Sequence, residues 1–404
     1  MLRKILLGLA ALVALSIAFA LMWAIRPWTA HEPGRWYLSW PPQTRAYNFS
    51  HWHKVVPYQT VSASSNPRLY ERNPIDLSDV TFVGADGPMT IGDYLESEGI
   101  SGMMVLQAGD IRFEHYDRGI DADSRYHIWS ATKSFTSTLI GIALHQGVID
   151  DIDDPIKKYA AQFDGTVYGN TSIRHVLMMS SGVNLIHDPG HKPSRRELYN
   201  AIIFDGENLD DFAARLEYRV DPGTDFNYAA TDTHVLGAVL RAAYGQKLGQ
   251  IATEQLWQPA GFTADAIWSE NAAGKSQAVF AHCCLALTLT DFAHLGQIYL
   301  EDLIIDGAPS VPSDWFEQVE NAQAPFQEPT QNPETGNIQM GYSYQFWLPE
   351  NYQQEFVARG ALGQYLWVDR KRGFVVAQFA IKSGDGITYS AAMRAIGDAV
   401  AGSN

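Results

Sequence analysis

Strand-like runs near both ends of the chain constrain its fold more than any other feature. The apolar run at 102–107 and the alternating run at 111–116 flank Ala108-Gly109-Asp110, which predicts a β-hairpin. A second hairpin is predicted from runs at 364–368 and 374–381, and a short helix at about 390–400 closes the chain. Helical patterns lie between the hairpins. We therefore predict an α+β (mixed α/β) fold: one antiparallel sheet built from both termini, flanking helices and an inserted, mainly helical region.

Length and composition narrow the class of protein. The chain has 404 residues, of which 46% are hydrophobic, so it can bury a sizeable core. Its formal net charge of −16 argues against nucleic acid as a partner. The two cysteines, Cys283 and Cys284, are adjacent. They cannot form a disulfide framework, and neighbouring cysteines bridge only with strain. A cysteine-based zinc site is excluded because it needs three or four spaced ligands.

The N-terminal segment 1–26 has the character of a membrane anchor. Arg3 and Lys4 precede positions 5–25, twenty-one residues without charge or proline. At about 1.5 Å per residue such a helix spans roughly 30 Å, the thickness of a bilayer core. We predict an inner-membrane transmembrane helix that holds the body in the periplasm or another extracytoplasmic space. Cleavage as a signal peptide near Ala18-Phe19-Ala20, with secretion of the body, is the alternative.

Residues 27–76 are predicted to form a stalk and lead-in to a body at 77–404. Prolines are expected to interrupt every candidate helix in this stretch: Pro27, Pro33, Pro41, Pro42, Pro57, Pro67 and Pro74. Four tryptophans make it too apolar for a free linker, namely Trp28, Trp36, Trp40 and Trp52. We expect them to pack on the body or to lie at a membrane interface.

Ser130 and Lys133 carry the first chemical signal. A helix is predicted at 130–146, and residues three apart on a helix lie on the same face. A serine hydroxyl needs a base within hydrogen-bond reach to act as a nucleophile. A partly buried lysine can lose its proton and serve as that base. The pattern alone also fits a capping serine beside a solvated lysine.

Four ordered stretches make this signal specific. Residues 127–137 (HIWSATKSFTS) resemble the nucleophile helix of serine β-lactamases and penicillin-binding proteins, in particular the branch of class C β-lactamases, esterases and 6-aminohexanoate-dimer hydrolases. Residues 173–182 resemble that branch's structural helix and turn. Residues 221–228 (DPGTDFNY) resemble the approach to its catalytic tyrosine, and 358–364 (ARGALGQ) its third-motif strand. The resemblance covers about residues 80–404 and implies a β-lactamase/transpeptidase-like serine hydrolase domain.

The resemblance also implies an acyl-enzyme mechanism. Ser130 attacks a carbonyl, and Lys133 and Tyr228 move the protons as acid and base. A nearby ammonium lowers the pKa of a phenol, which makes such a tyrosine a usable base. The backbone N–H groups of Ser130 and Ala361 are implied as the oxyanion hole.

Two departures from the family pattern bear on the substrate. The branch often has Tyr-x-Asn where this chain has Tyr228-Ala229-Ala230, so Ala230 lacks an amide that would contact the substrate. The third motif is often Lys-Thr-Gly or His-x-Gly, but here it is Ala358-Arg359-Gly360. Arg359 and Gly360 are therefore assigned with Ala230 to substrate binding. We expect poor β-lactam hydrolysis and hydrolysis of a small-molecule amide or ester.

Two alternatives stay open. The chain could be a peptidoglycan D,D-carboxypeptidase or β-lactamase, or a non-catalytic, membrane-anchored binding or scaffold member of the fold. A binding module would have no need for Ser130, Lys133 and Tyr228 together.

Other patterns are interpreted without a function. Lys382-Ser383-Gly384 matches the third motif by letters, but too few strands follow it, so Lys382 is predicted at the exposed end of the last strand. Four acidic residues resemble a calcium loop only in charge, without its glycine and closing glutamate: Asp150, Asp151, Asp153 and Asp154. We predict no metal and no cofactor.

Overall fold

The body of the protein is described by a computed structural model. The described residues are 13, 15–17, 41–54, 56–186, 192–194, 197–199, 201, 207–271, 278–331 and 338–402. The predicted membrane helix at 5–25 lies almost wholly outside these ranges. Within them, no helix is both long enough and apolar enough to cross a membrane. Pro41–Asn404 forms one compact unit and Met1–Trp40 another.

The strands are short at the N-terminal side and longer at the two predicted hairpins. In chain order they are β1 (Tyr58–Val61), β2 (Glu71–Arg72), β3 (Thr81–Gly84), β4 (Gly87–Thr90), β5 (Ile100–Gln107), β6 (Asp110–Tyr116), β7 (Tyr126–His127), β8 (Ala266–Ser269), β9 (Leu285–Leu287), β10 (Ile304–Ile305), β11 (Ala308–Pro309), β12 (Thr330–Gln331), β13 (Ile338–Gln339), β14 (Gly341–Ser343), β15 (Phe346–Leu348), β16 (Glu355–Gly360), β17 (Gln364–Asp369) and β18 (Phe374–Ala380).

An eight-stranded sheet joins the two ends of the body. Its order is β14-β15-β16-β17-β18-β5-β6-β2, antiparallel throughout except for the parallel pair β2–β6. Strands β5 and β6 form the first predicted hairpin, and β17 and β18 form the second. Because β18 pairs with β5 at the centre, the predicted sheet from both termini is confirmed. A separate four-stranded sheet has the order β1-β8-β9-β7.

The α-helices cover the sheet and build the inserted region. In chain order they are α1 (Pro42–His51), α2 (Ile91–Ser97), α3 (Thr132–His145), α4 (Ile173–Leu177), α5 (Leu209–Ala214), α6 (Ala230–Tyr244), α7 (Leu248–Ala252), α8 (Leu289–Leu300), α9 (Trp315–Val319) and α10 (Gly386–Ala401). The closing helix, predicted at about 390–400, thus starts four residues earlier. Asp385 caps it by accepting a hydrogen bond from the Thr388 N–H.

Alternation along the strands decides what covers each face of the sheet. Met103, Val357 and Trp367 point toward one face, where they join a buried cluster with α2 and α10. Helix α8 packs against β5, β17 and β18. A Cβ atom at Gly296 of α8 would lie 2.4 Å from the side chain of Val375, so glycine permits this close approach. Helices α3 and α6 pack together beside the sheet.

The lead-in differs from its prediction in one respect. Pro42 begins α1 instead of interrupting it, because the first position of a helix needs no N–H donor. Phe49 of α1 packs edge-on against Trp129, with ring centroids 5.3 Å apart, and Trp52 contacts the same ring at 5.9 Å. Trp52 therefore packs on the body as expected. Trp28, Trp36 and Trp40 lie outside the described residues, and the domain boundary at 76/77 stays a prediction.

Candidate active site

The predicted nucleophile lies in a tight turn ahead of a buried helix. Residues Trp129–Ala131 form a short 3₁₀ helix that leads directly into α3, so the single helix predicted from Ser130 is divided in two. Trp129 adopts a φ of 46°, a left-handed conformation that is rare for non-glycine residues. Ser130 stays partly accessible while its neighbours Trp129 and Ala131 are buried. The turn therefore presents the serine hydroxyl on a rigid support.

Lys133 links the other predicted groups. Its side chain is buried, and the residue is 2% exposed. The Nζ atom donates to Ser130 Oγ at 3.2 Å and to the His282 carbonyl at 2.6 Å. It also lies 5.0 Å from the centroid of the Tyr228 ring. The structure thus brings Ser130, Lys133 and Tyr228 together, while their acid and base roles stay predictions.

Tyr228 is positioned by the turn that follows α4. The Asn227 N–H donates to the Met179 carbonyl at 2.8 Å, and the Asn227 side chain donates to the Val183 carbonyl at 2.9 Å. Helix α6 begins two residues after Tyr228. The second and third stretches singled out in the sequence therefore hold one another and fix the tyrosine between them.

An aromatic wall that the sequence did not reveal extends from Tyr228. Its ring lies 5.3 Å from Trp347 and 5.9 Å from Tyr342, centroid to centroid. Phe226 contacts both of these rings. The partners lie more than 100 residues apart in the chain, so no local pattern could have indicated the wall.

Gly360 brings the third motif against the nucleophile turn. A Cβ atom at this position would lie 2.0 Å from the Ile128 carbonyl oxygen, so any side chain would push β16 away. Ala361 opens the 3₁₀ helix Ala361–Gly363, and Ser130 lies in the 3₁₀ turn just described. Backbone N–H groups in the first turn of a helix have no partner within it. The oxyanion-hole role of the Ser130 and Ala361 N–H groups stays a prediction.

Arg359 lies in an aromatic frame rather than in an ion pair. Its guanidinium carbon is 4.9 Å from the centroid of Tyr365 and 5.5 Å from that of Trp347, and it donates to the Tyr365 hydroxyl at 3.2 Å. Among the residues that the structure describes, no carboxylate pairs with it. Because Trp347 also contacts Tyr228, the guanidinium lies on the Tyr228 side of the site. Ala230, 6% exposed, begins α6 and offers a substrate little surface.

His282 is a site residue that sequence reasoning missed. Its carbonyl accepts the Lys133 hydrogen bond, but neither ring nitrogen has a hydrogen-bond partner in the described structure. Burial, together with the nearby Lys133 ammonium, holds the pKa of His282 well below its ordinary value. The imidazole is therefore neutral. Its role could not be found from sequence because it is made by a backbone atom.

The buried carboxyl group of Asp232 supports the turn that positions Tyr228. Asp232 of α6 accepts hydrogen bonds from the Tyr168 hydroxyl at 2.6 Å and from the Ser181 hydroxyl at 2.7 Å. Ser181 belongs to the same turn as Met179. No basic side chain of the described residues pairs with Asp232, and burial raises its pKa to about 7.

We expect Asp232→Asn to change how stability depends on pH. The ordinary pKa is 3.8 and the folded pKa about 7, so the folded protein holds a proton that the unfolded chain releases. The wild type should lose stability as pH rises between these values and no further above them. A neutral amide removes that loss. The free energy of unfolding of the variant, relative to wild type, should rise by about 1.4 kcal/mol per pH unit in this window.

Urea unfolding of both proteins from pH 4.5 to 8 measures this difference. Asp164→Asn, which alters a carboxylate whose side chain is 72% exposed, is the matched control and should follow the wild-type curve. Parallel curves for Asp232→Asn and wild type would show that Asp232 is ionised in the folded state.

The third-motif look-alike at Lys382 lies where it was predicted. Lys382 follows the last strand, is exposed, and forms an ion pair with Glu98 at 3.5 Å. Its neighbour Ser383 accepts a hydrogen bond from the Leu362 N–H at 3.2 Å and so supports the loop after Gly360. In the described part of the chain, no group of three or more His, Cys, Asp or Glu side chains could hold a metal ion.

A sheet beside a helical insert, with a serine and a buried lysine at their junction, defines a serine hydrolase, an amidase or esterase by class. The beta-lactamase family signature matches residues 90–394, and the chain belongs to that family.

Known proteins support the same assignment. The chain is 25% identical over 293 residues to the 6-aminohexanoate-dimer hydrolase of Paenarthrobacter ureafaciens, covering 71% of this chain and 74% of the relative. A solved structure from Bacillus anthracis, described as a candidate 6-aminohexanoate-dimer hydrolase, has a TM-score of 0.75 at 20% identity and covers 88% of this chain and 93% of its own. A penicillin-binding protein from Bacillus halodurans has a TM-score of 0.57 at 15% identity, with coverages of 76% and 99%. These structural likenesses show a shared fold.

Proposed function

We propose that this protein is an exported serine hydrolase that cleaves an amide or ester through an acyl-enzyme on Ser130, with Lys133 and Tyr228 as acid and base. The observation that carries the proposal is the position of Lys133. Burying a lysine amino group costs free energy of folding. Lys133 is nevertheless buried, in contact with both Ser130 Oγ and the Tyr228 ring, which favours a role in the reaction.

The proposed reaction has two halves. Ser130 Oγ loses its proton to the Lys133–Tyr228 pair and forms a bond to the substrate carbonyl carbon, and the negative oxygen accepts hydrogen bonds from the N–H groups of Ser130 and Ala361. The bond to the leaving nitrogen or oxygen then breaks, and Tyr228 returns the proton to it. Water, deprotonated by the same pair, releases the acid and restores Ser130.

The side chains around the site favour a linear substrate. Ala230 and Ala358 are both buried and carry no polar side-chain atom, so they cannot supply amide or ammonium contacts. The curated relative is a hydrolase of 6-aminohexanoate dimer, which supports an open-chain amide as the natural substrate class. The Arg359 guanidinium, which contacts the same Trp347 ring as Tyr228, is a cation that could meet a substrate carboxylate.

We expect short esters to be hydrolysed better than β-lactams. Each lost hydrogen bond to a charged group is worth roughly 1.5–3 kcal/mol, so a β-lactam should be disfavoured by about tenfold or more. A short ester needs only the nucleophile, its bases and the oxyanion hole. The measurement is kcat/KM for p-nitrophenyl acetate against that for a chromogenic cephalosporin on one preparation.

Arg359→Met sharpens this comparison because it keeps the stem of the side chain and removes the charge. It should leave ester hydrolysis nearly unchanged and lower any residual cephalosporin hydrolysis. A ratio of ester to cephalosporin kcat/KM well below one would instead support a β-lactamase or D,D-peptidase. Failure of a fluorophosphonate probe to label Ser130 would support the non-catalytic scaffold.

Export and anchoring are proposed from the segment at 5–25. Its apolar length and the two preceding basic residues favour an anchor with the body outside. A full-length protein that stays in the membrane fraction, with its body open to protease added to spheroplasts, would support this. Protection of the body from that protease would contradict it.

A further inference from the structure

A five-residue segment, Ala281–Leu285, forms the rear support of the nucleophile turn. Five hydrogen bonds of 2.6 to 3.4 Å join it to the nucleophile turn, to Ile128 just before the turn and to the start of α3: Thr136 Oγ1 to the Ala281 carbonyl, Lys133 Nζ to the His282 carbonyl, the Cys284 N–H to the Trp129 carbonyl, the Leu285 N–H to Thr132 Oγ1, and the Ile128 N–H to the Leu285 carbonyl. The backbone of this segment therefore sets where Lys133 lies.

A disulfide between Cys283 and Cys284 lies in the middle of this segment. Neighbouring cysteines bridge only with strain, yet the two are joined. Cys284 has a φ of 75°, the left-handed conformation that favours glycine. The Cys283 carbonyl accepts a hydrogen bond from the Trp268 side chain, and the Cys284 carbonyl accepts one from the Ser269 N–H. The bridge adds a covalent restraint at the residue where the backbone turns.

This bridge cannot act as an ordinary structural disulfide. A cross-link stabilises a protein mainly by closing a loop of the unfolded chain, and adjacent residues enclose none. Its effect must therefore be local, on the peptide units that it joins and on those beside them. The next peptide toward the N-terminus presents the His282 carbonyl to Lys133.

We propose that the Cys283–Cys284 disulfide is a positioning element for Lys133, and that a dithiol which reduces it lowers the rate of catalysis. The proposal rests on the proposed role of Lys133 in the site. The dithiol supplies two electrons and two protons, the S–S bond breaks to two thiols, and the dithiol becomes a cyclic disulfide. Without the bridge, Cys284 can leave its left-handed conformation. The His282 carbonyl then loses its fixed position at the lysine.

The first experiment compares oxidised and reduced protein. Dithiothreitol treatment is followed by intact mass and thiol titration to establish the redox state, and circular dichroism checks the fold. With p-nitrophenyl acetate, we expect kcat to fall about tenfold, the scale of one lost hydrogen bond to a charged group, while KM changes little. The acid limb of the kcat–pH profile should also move, because the position of Lys133 affects the protonation of the Lys133–Tyr228 pair. Reoxidation should reverse both changes.

Two double variants separate the bridge from the backbone conformation. Cys283→Ser with Cys284→Ser should show the reduced behaviour without dithiothreitol. Cys283→Ser with Cys284→Gly should recover part of the lost kcat, because glycine adopts positive φ freely. Both should be insensitive to dithiothreitol. Equal activity of the two variants, with wild-type kcat in each, would overturn the proposal.

A measurement that needs no substrate tests the positioning role of the disulfide independently of the proposed function. Titration of Lys133 by NMR of carbon-13-labelled lysine, assigned with Lys133→Ala, reports its pKa in each redox state. A lower pKa in the reduced protein supports the positioning role even if the substrates tested are not cleaved. An unchanged titration and unchanged kcat in protein of verified reduced mass would refute it. Turnover that persists in Ser130→Ala refutes the proposed function instead.

Discussion

Replacing Ser130 with alanine should abolish hydrolysis of every amide and ester that the wild type cleaves. The change removes the one oxygen that forms the acyl-enzyme and leaves the remaining side chain in place. Loss of a nucleophile in a comparable serine hydrolase costs about 10⁶-fold in kcat, so activity should fall to the detection limit. The measurement is kcat with p-nitrophenyl acetate, together with intact mass after exposure to a fluorophosphonate, which should show no adduct.

Ser134→Ala is the matched control for this variant. Ser134 lies four residues after Ser130, in the first turn of α3, is buried, and donates to the Gln345 carbonyl at 2.7 Å. Its removal should cost about 1 kcal/mol of stability and little activity. Wild-type turnover by Ser130→Ala would place the nucleophile elsewhere and would overturn the proposed mechanism.

Lys133→Ala and Tyr228→Phe should each lower kcat by roughly 10²–10⁴-fold, the scale expected for a positioned acid or base. The lysine Nζ lies 5.0 Å from the centroid of the tyrosine ring, and under the proposed mechanism the two act as one proton relay. The double variant should therefore lose less than the product of the two single losses. The measurement is a double-mutant cycle on kcat at several pH values.

Two surface substitutions serve as controls for the cycle. Lys158→Ala removes a lysine that pairs with Asp150 and Asp154, and Tyr218→Phe removes an exposed hydroxyl that donates to the Val167 carbonyl. Both should keep nearly full activity. Losses that multiply fully in the Lys133→Ala, Tyr228→Phe double variant would show two independent roles rather than a shared relay.

The local sequence pattern was sufficient to predict those elements that depend only on neighbouring residues. The hairpins β5–β6 and β17–β18 were predictable because alternation and turn residues are properties of short segments. Ser130 and Lys133 were predictable as a pair because residues three apart on a helical stretch lie on one face, and their atoms are 3.2 Å apart. The position of Lys382 followed from counting strands after the third motif.

The parts of the site that come from distant segments were not predictable in this way. The His282 carbonyl reaches Lys133 across 149 positions of sequence, and carbonyls carry no residue-type signal. Trp347 meets Tyr228 because β15 lies beside β16 in the sheet, which hydrophobic patterns do not specify. Helix α1, which begins at Pro42, was also not predictable from local sequence. Its prolines argue against a helix, but the packing of Phe49 on Trp129 favours one.

The sequence therefore indicated the candidate reactive groups, the hairpins and the order in which the motifs occur, because each depends on residues close together in the chain. Tertiary packing set the geometry that joins those groups. Gly360 illustrates the difference. The third motif includes a glycine at this position, but only the structure shows why a side chain is excluded: a Cβ atom would lie 2.0 Å from the Ile128 carbonyl oxygen. The proposed role of the Cys283–Cys284 bridge likewise depends on a tertiary contact, because the carbonyl of the preceding residue, His282, accepts a hydrogen bond from Lys133. Such contacts join segments far apart in the chain, so their free energy has no local signature in the residues that make them.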